Sequence, residues 1–182
     1  MPKGRVADGG HGVLTDHSIP RRAVAPGPAS SWRLRPFPGF AGRDRELGLA
    51  YAEVSLRTGD ARQASEAMRL LEKAASDAEV LLRLAFLRQR LGDEGRSAEL
   101  YGEVLKRDPD SIAAMVNLGS IYGKAGRLDE AIALWREALK RNPCLSEAGK
   151  NLAIAYAAAG RRAAAVSVRE AQSFCIVEAD RR

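Results

Sequence analysis

The chain has 182 residues, of which 46% are apolar, and carries a formal net charge of +6, which is enough apolar material for one domain with a hydrophobic core. The longest uncharged apolar run, residues 153–160, is far shorter than the ~20 residues that a membrane helix needs. Lys3 and Arg5 precede no apolar run of the kind found in a secretory signal. The sequence as written therefore excludes a membrane-spanning helix and a secretory signal, and it indicates the cytoplasm by default.

Residues 1–43 show no helical period and are predicted to form an irregular basic tail and linker. They hold seven Lys and Arg residues against two Asp residues, a net charge of +5, whereas the rest of the chain has a net charge of only +1. The favoured interpretation is a solvated tail, and the alternative is binding of the tail to nucleic acid through counterion release. The two histidines of the chain, His11 and His17, lie here and are interpreted as exposed tail residues.

From residue 44 onward the sequence repeats with a period of about 34 residues, a length that is typical of a solenoid. The marks of this period are glycines, prolines and leucines that recur at the same spacing: Gly92, Gly126 and Gly160; Pro109 and Pro143; Leu84, Leu118 and Leu152. We therefore predict a repeat domain over 44–182, with units at about 44–77, 78–111, 112–145 and 146–179.

Each unit is predicted to be a helical hairpin. Apolar residues recur three and four positions apart, which is helical spacing. Gly126 lies between the two helices, where a left-handed turn is needed, and Pro143 ends the second helix. We expect Gly119 to face Ala131 across the hairpin, so that valine at position 119 would overpack the contact while alanine would be tolerated.

The best unit, residues 112–145, resembles the tetratricopeptide repeat (TPR), in which small, aromatic and proline positions are fixed. The positions that match are Met115, Leu118, Gly119, Tyr122, Gly126, Ala131, Trp135, Ala138 and Pro143. The next unit keeps Leu152, Tyr156 and Gly160, whereas the preceding one has Arg88 at the tyrosine position and Ser97 at the alanine position. The resemblance implies an all-α, right-handed α-solenoid of about four TPR hairpins.

In this family the first helices of the hairpins line a groove that holds a peptide or a helix of another protein. The resemblance implies groove positions at Val116, Asn117, Ser120, Lys124, Glu147, Lys150, Asn151 and Ile154. Residues 44–182 contain no histidine, no phosphate-binding loop and no nucleophile with a base at recognisable spacing. We therefore expect a protein-interaction scaffold with a protein or peptide partner, no enzyme activity, no metal and no cofactor.

The chain has two cysteines, Cys144 and Cys175, which lie far apart in the sequence with no second cysteine near either. This spacing excludes a Cys-x-x-Cys metal or redox motif. We interpret both cysteines as small, half-buried apolar residues of neighbouring helices.

The two ends of the N-terminal segment resemble the segment that follows a haem-attachment motif in bacterial multihaem c-type cytochromes with a C-terminal TPR array. The matching residues are Met1, Pro2, Lys3, His11, Thr15, Asp16, His17, Ile19, Pro20 and Arg21, followed by residues 46–52. The chain lacks Cys-x-x-Cys-His and cannot attach a c-type haem. In that family such histidines ligate haem iron, so His11 and His17 would here be vestigial ligands.

This second resemblance implies an alternative function. The chain would be the C-terminal fragment of a longer, exported multihaem cytochrome, with Met1 as an internal methionine. It would then lie in the periplasm and would serve in assembly or in docking a partner for electron transfer.

Overall fold

The structure, a computed structural model, describes residues 43–179, and within them the side chains of 44–175. The predicted tail before residue 43, with His11 and His17, lies outside the described residues. Within the described range the chain forms eight α-helices and no strand. The helices are α1 (Arg43–Thr58), α2 (Ala61–Leu71), α3 (Ala78–Arg90), α4 (Glu94–Arg107), α5 (Ile112–Lys124), α6 (Leu128–Arg141), α7 (Ser146–Ala158) and α8 (Arg162–Ala179).

Consecutive helices pack in pairs, α1 with α2, α3 with α4, α5 with α6 and α7 with α8. Each pair contacts the next through neighbouring helices, such as α4 with α5 and α6 with α7. First helices also contact one another, α1 with α3 and α5 with α7. The prediction of an all-α solenoid of four hairpins is confirmed.

Glycine makes the turn inside each hairpin. Each first helix ends at a glycine whose φ lies between 75° and 83°; the four are Gly59, Gly92, Gly126 and Gly160. Within the described part of the chain, no residue other than glycine has a positive φ. A side chain at such a φ would strain the backbone. The regular spacing of the last three glycines therefore reflects a repeated backbone requirement.

One aromatic side chain of the second helix fills the centre of each middle hairpin. Tyr101 of α4 is fully buried and donates its hydroxyl to Gln89 Oε1 at 2.8 Å, and its ring meets Phe86 edge-on. Burial raises the pKa of the Tyr101 hydroxyl. In the next hairpin the buried Trp135 of α6 donates Nε1 to the Val116 carbonyl at 3.2 Å. The polar atom of each side chain is hydrogen-bonded within its hairpin, so both rings belong to the structural core.

The second hairpin tolerates its two departures from the repeat pattern. Ser97, at the alanine position, is fully buried and donates Oγ to the Ala85 carbonyl at 2.9 Å. Arg88, at the tyrosine position, pairs with Glu72 of the first hairpin at 2.6 Å. The hydrogen bond offsets the cost of burying a hydroxyl, and the arginine keeps its charge at the surface.

Gly119 contacts a different residue from the one predicted. A Cβ on Gly119 would lie 2.7 Å from Nε1 and 3.0 Å from Cε2 of Trp135, whereas Ala131 lies opposite Gly123. The indole is rigid, buried and hydrogen-bonded to Val116, so it cannot move aside easily. The expectation that Gly119 faces Ala131 is therefore wrong, because the indole fills this space, and alanine is now expected to be destabilising at this position.

Gly119→Ala should lower the free energy of unfolding. Overpacking typically costs about 1–3 kcal/mol, and the better helix propensity of alanine recovers up to about 1 kcal/mol. Chemical denaturation of the full chain would measure the difference.

The matched control is Gly102→Ala in α4, where a Cβ would meet no atom within 4 Å. This change should raise stability by up to about 1 kcal/mol through helix propensity alone. Equal effects of the two alanines would contradict the Trp135 contact.

Asp77 connects the first two hairpins. It caps α3 by accepting a hydrogen bond from the Val80 amide at 2.9 Å, and its carboxylate pairs with Arg45 of α1 at 2.7 Å. Arg45 also reaches Glu79 at 2.8 Å. The hydrogen bond from Arg45 lowers the pKa of the Asp77 carboxyl below its ordinary value.

Asp77→Ala should cost about 1 kcal/mol, the usual value of a helix N-cap. Ser111→Ala at the start of α5 should cost less, because Ser111 makes no capping hydrogen bond with its side chain. The Asp77 contribution is present above the pKa of the unfolded carboxyl and is lost as pH falls through the lowered folded pKa. Thermal unfolding of both variants at neutral and acid pH would check this, and a pH-independent penalty would contradict the ion pair.

The two cysteines are bonded to each other, which corrects the expectation of two unlinked apolar residues. Cys144 lies in the turn after Pro143, between α6 and α7, and is exposed. Cys175 lies near the end of α8, and the two Cα atoms are 5.4 Å apart. A distance of this size suits a disulfide. The turn brings Cys144 next to α8, and sequence spacing alone does not show this.

Candidate protein-binding groove

The first helices α3, α5 and α7 follow one another along one face of the array and border two open cavities. The Ile154 cavity, of about 440 Å³, lies between α5, α6 and α7. The Phe86 cavity, of about 470 Å³, lies between α3, α5 and the start of α7. Both volumes lie in the range of ligand pockets.

The Ile154 cavity has an apolar floor and a polar edge. Its floor includes the buried Trp135 and Ala155, and the Ile154 side chain beside it is 64% exposed. Asn151 of α7 donates Nδ2 to Ser120 Oγ of α5 at 3.4 Å across the cavity. An exposed isoleucine beside half-buried amide and hydroxyl groups suits an apolar side chain and the backbone of an extended peptide.

The Phe86 cavity combines an aromatic ring with polar groups at the opposite edge. The cavity is lined by Phe86 of α3, by Ile112, Ala113, Val116 and Asn117 of α5, and by Leu145 and Glu147. Asn117 donates Nδ2 to the Ala113 carbonyl of its own helix at 2.7 Å. The amide oxygen of Asn117, like the carboxylate of Glu147, can accept a hydrogen bond from a ligand N–H.

The structure brings most of the predicted groove residues to these two cavities. The Ile154 cavity is lined by Ser120, Lys124, Asn151 and Ile154, and the Phe86 cavity by Val116, Asn117 and Glu147. Lys150 is exposed and lines neither cavity.

Val116 and Lys124 are less accessible to a partner than the pattern suggests. Val116 belongs to the core and is only 4% exposed. Its carbonyl already accepts hydrogen bonds from the side chains of Ser120 and Trp135. Lys124 pairs with Glu94 of the preceding hairpin at 2.7 Å. A ligand would therefore meet Lys124 as part of an ion pair.

Sequence reasoning missed several residues that line the cavities, among them Phe86 and Trp135. Phe86 lies one repeat period before Ser120, so the repeat spacing gave a signal for it. Trp135 was assigned to the repeat core alone, although its ring also borders the Ile154 cavity. Only the three-dimensional packing shows that one ring serves both surfaces.

Metal clusters and membrane-spanning helices are not found among the described residues. Between 43 and 179, no group of three or more His, Cys, Asp and Glu residues could hold a metal ion. None of the helices in this range is long and apolar enough to cross a membrane.

The repeat geometry has a counterpart among known families. The tetratricopeptide repeat model matches residues 82–143 and 116–171. Over residues 82–171 the chain is therefore similar to tetratricopeptide repeats. The TPR match covers α3 to α7 and part of α8, so it includes both cavities.

Part of the chain is similar to the photosystem I assembly protein Ycf3 of Synechococcus sp. (strain CC9605). It is 34% identical over 65 residues, which cover 36% of this chain and 38% of that protein. The chain therefore spans well under half of this relative.

Among solved structures, MamA has a TM-score of 0.68 with 18% identity and covers 77% of this chain and 80% of its own. The structure of YrrB, described as a TPR protein with an unusual peptide-binding site, has a TM-score of 0.60 with 18% identity over 71% of each chain. At these identities the likeness shows the fold.

Asn151→Ala should leave the fold intact. Its side chain is half-buried and makes one long hydrogen bond to Ser120, so the free energy of unfolding should change by at most about 0.5 kcal/mol. Denaturant unfolding would measure this. A loss of several kcal/mol would mean that Asn151 is structural and unsuitable for probing the groove.

Proposed function

We propose that the protein is a non-enzymatic interaction scaffold that binds a peptide or a helix of a partner protein in the groove formed by α3, α5 and α7. The observation that carries the proposal is the pair of cavities along these helices, with the exposed Ile154 and the polar side chains of Asn117 and Asn151 at their edges.

Two features of the groove support a protein ligand. Its apolar lining takes hydrophobic side chains, whereas the amide groups of the two asparagines can bond a ligand backbone.

The comparisons support the same class of function. TPR units form stacked arrays with extended binding surfaces. The relative Ycf3 is named as an assembly protein, and YrrB is described as having a peptide-binding site. We extend only the general activity, binding of proteins or peptides, to this chain.

Peptides selected from a random phage-displayed library against the full chain would test the groove. Ile154→Glu should weaken the affinity of a selected peptide by about 10-fold or more, because it removes an apolar contact and adds a charge. Isothermal titration calorimetry would measure the affinity.

The matched control is Val166→Glu on α8. Val166 is 52% exposed, comparable to Ile154, but lies outside both cavities. The Val166→Glu variant should bind the selected peptide with the same affinity as the unchanged protein. Equal weakening by both variants, or selection of no peptide, would contradict the groove proposal.

A second candidate, the tail of an exported multihaem cytochrome, rests on the N-terminal sequence, and the disulfide bears only on its location in an oxidising compartment. Disulfides persist mainly in oxidising compartments such as the bacterial periplasm. The N-terminal resemblance that suggested this role lies outside the described residues. In-frame Cys-x-x-Cys-His codons upstream of Met1 would support it, and stop codons there would contradict it.

A further inference from the structure

The disulfide occupies a position that an ion pair occupies one repeat earlier. Cys144 follows Asp110, and Cys175 follows Arg141, by one full repeat period. Arg141 of α6 pairs with Asp110, in the turn before α5, at 2.7 Å. The third and fourth hairpins are therefore closed at equivalent sites, one by an exposed ion pair and the other by a covalent bond.

The fourth hairpin needs a stronger closure because α8 is poorly packed. At four positions α6 buries Ala131, Ile132, Trp135 and Ala138. At the equivalent positions α8 has Ala165, Val166, Arg169 and Gln172. Ala165 is buried and Gln172 is half-buried, whereas Val166 and Arg169 are exposed. Phe174 is 68% exposed. Burial of the described side chains therefore provides little to hold residues 169–175 of α8.

Two side chains of α8 contact the turn before α7. Gln172 donates Nε2 to the Pro143 carbonyl at 2.8 Å and lies over Gly149, where a Cβ would overlap it. Cys175, about one turn further along, bonds to Cys144. The hydrogen bond is exposed and contributes little. The disulfide is thus the main constraint on the described end of α8.

We propose that the Cys144–Cys175 disulfide is a redox-dependent clasp that keeps the second half of α8 folded on the array. A dithiol reductant opens it by two exchange steps. The reductant becomes a disulfide, and its two electrons and two protons pass to the sulfurs of Cys144 and Cys175, which become thiols. The end of α8 then frays, and the fourth hairpin loses its support.

The clasp also regulates the groove. The fourth hairpin supplies Asn151 and Ile154 through α7, and fraying at the end of α8 removes part of the packing that holds α7, which also contacts α6. This consequence rests on the proposed function. The fraying of α8 does not rest on the proposed function.

Hydrogen–deuterium exchange of the full chain with mass spectrometry tests the clasp directly. Dithiothreitol should lower the protection of amides in residues 166–175 by about 10-fold or more, as expected for loss of a stabilising cross-link. Protection of α5 and α6 should not change. Equal protection of residues 166–175 in the oxidised and reduced protein would overturn the proposal.

Two variants separate the clasp from a general effect of reductant. Cys144→Ser with Cys175→Ser should match the reduced protein and show no response to dithiothreitol. Asp110→Cys with Arg141→Cys should form a second disulfide on oxidation, seen as loss of free thiols. Failure of that bond to form would overturn the equivalence of the two sites.

Peptide affinity distinguishes the two proposals. If reduction lowers α8 protection and weakens a selected peptide, both the clasp and its effect on the groove are supported. If α8 protection falls while peptide affinity stays constant, the clasp stands and the groove effect is wrong. If no peptide binds the oxidised protein, the groove proposal fails, and the exchange data still decide the clasp.

Discussion

The structure depends on close contact between the two helices of each hairpin. A second-helix side chain lies against a glycine of the first helix in three of the four hairpins of the described region: Leu71 on Gly48, Trp135 on Gly119 and Gln172 on Gly149. In the second hairpin the buried Tyr101 fills the same kind of space beside Phe86. Because interiors are close-packed, these contacts fix the hairpin geometry and, through it, the line of first helices that borders the groove.

The groove follows from the way hairpins stack. Second helices bury their apolar sides against both neighbours, so first helices such as α5 and α7 share an open face. Trp135 shows the connection, because its ring closes the third hairpin and also forms the floor of the Ile154 cavity. A change in hairpin packing would therefore alter the binding surface as well as stability.

The fourth hairpin compensates for its departures from the repeat with different chemistry. The third hairpin has Met115 on the first helix and Ala138 on the second, and the fourth has Gly149 and Gln172 at the equivalent positions. The large and small side chains have exchanged helices, which conserves volume. The disulfide then supplies the closure that the missing aromatic core does not.

The sequence by itself determined the hairpins, because turn glycines, helix-ending prolines and apolar spacing are local requirements of the backbone. The resemblance to the TPR implied groove residues on α5 and α7. Tertiary structure decided the contacts between distant residues: that Gly119 meets Trp135, that Val116 is buried, and that Cys144 reaches Cys175. These depend on side-chain direction and on how helices approach one another, and a linear spacing carries neither.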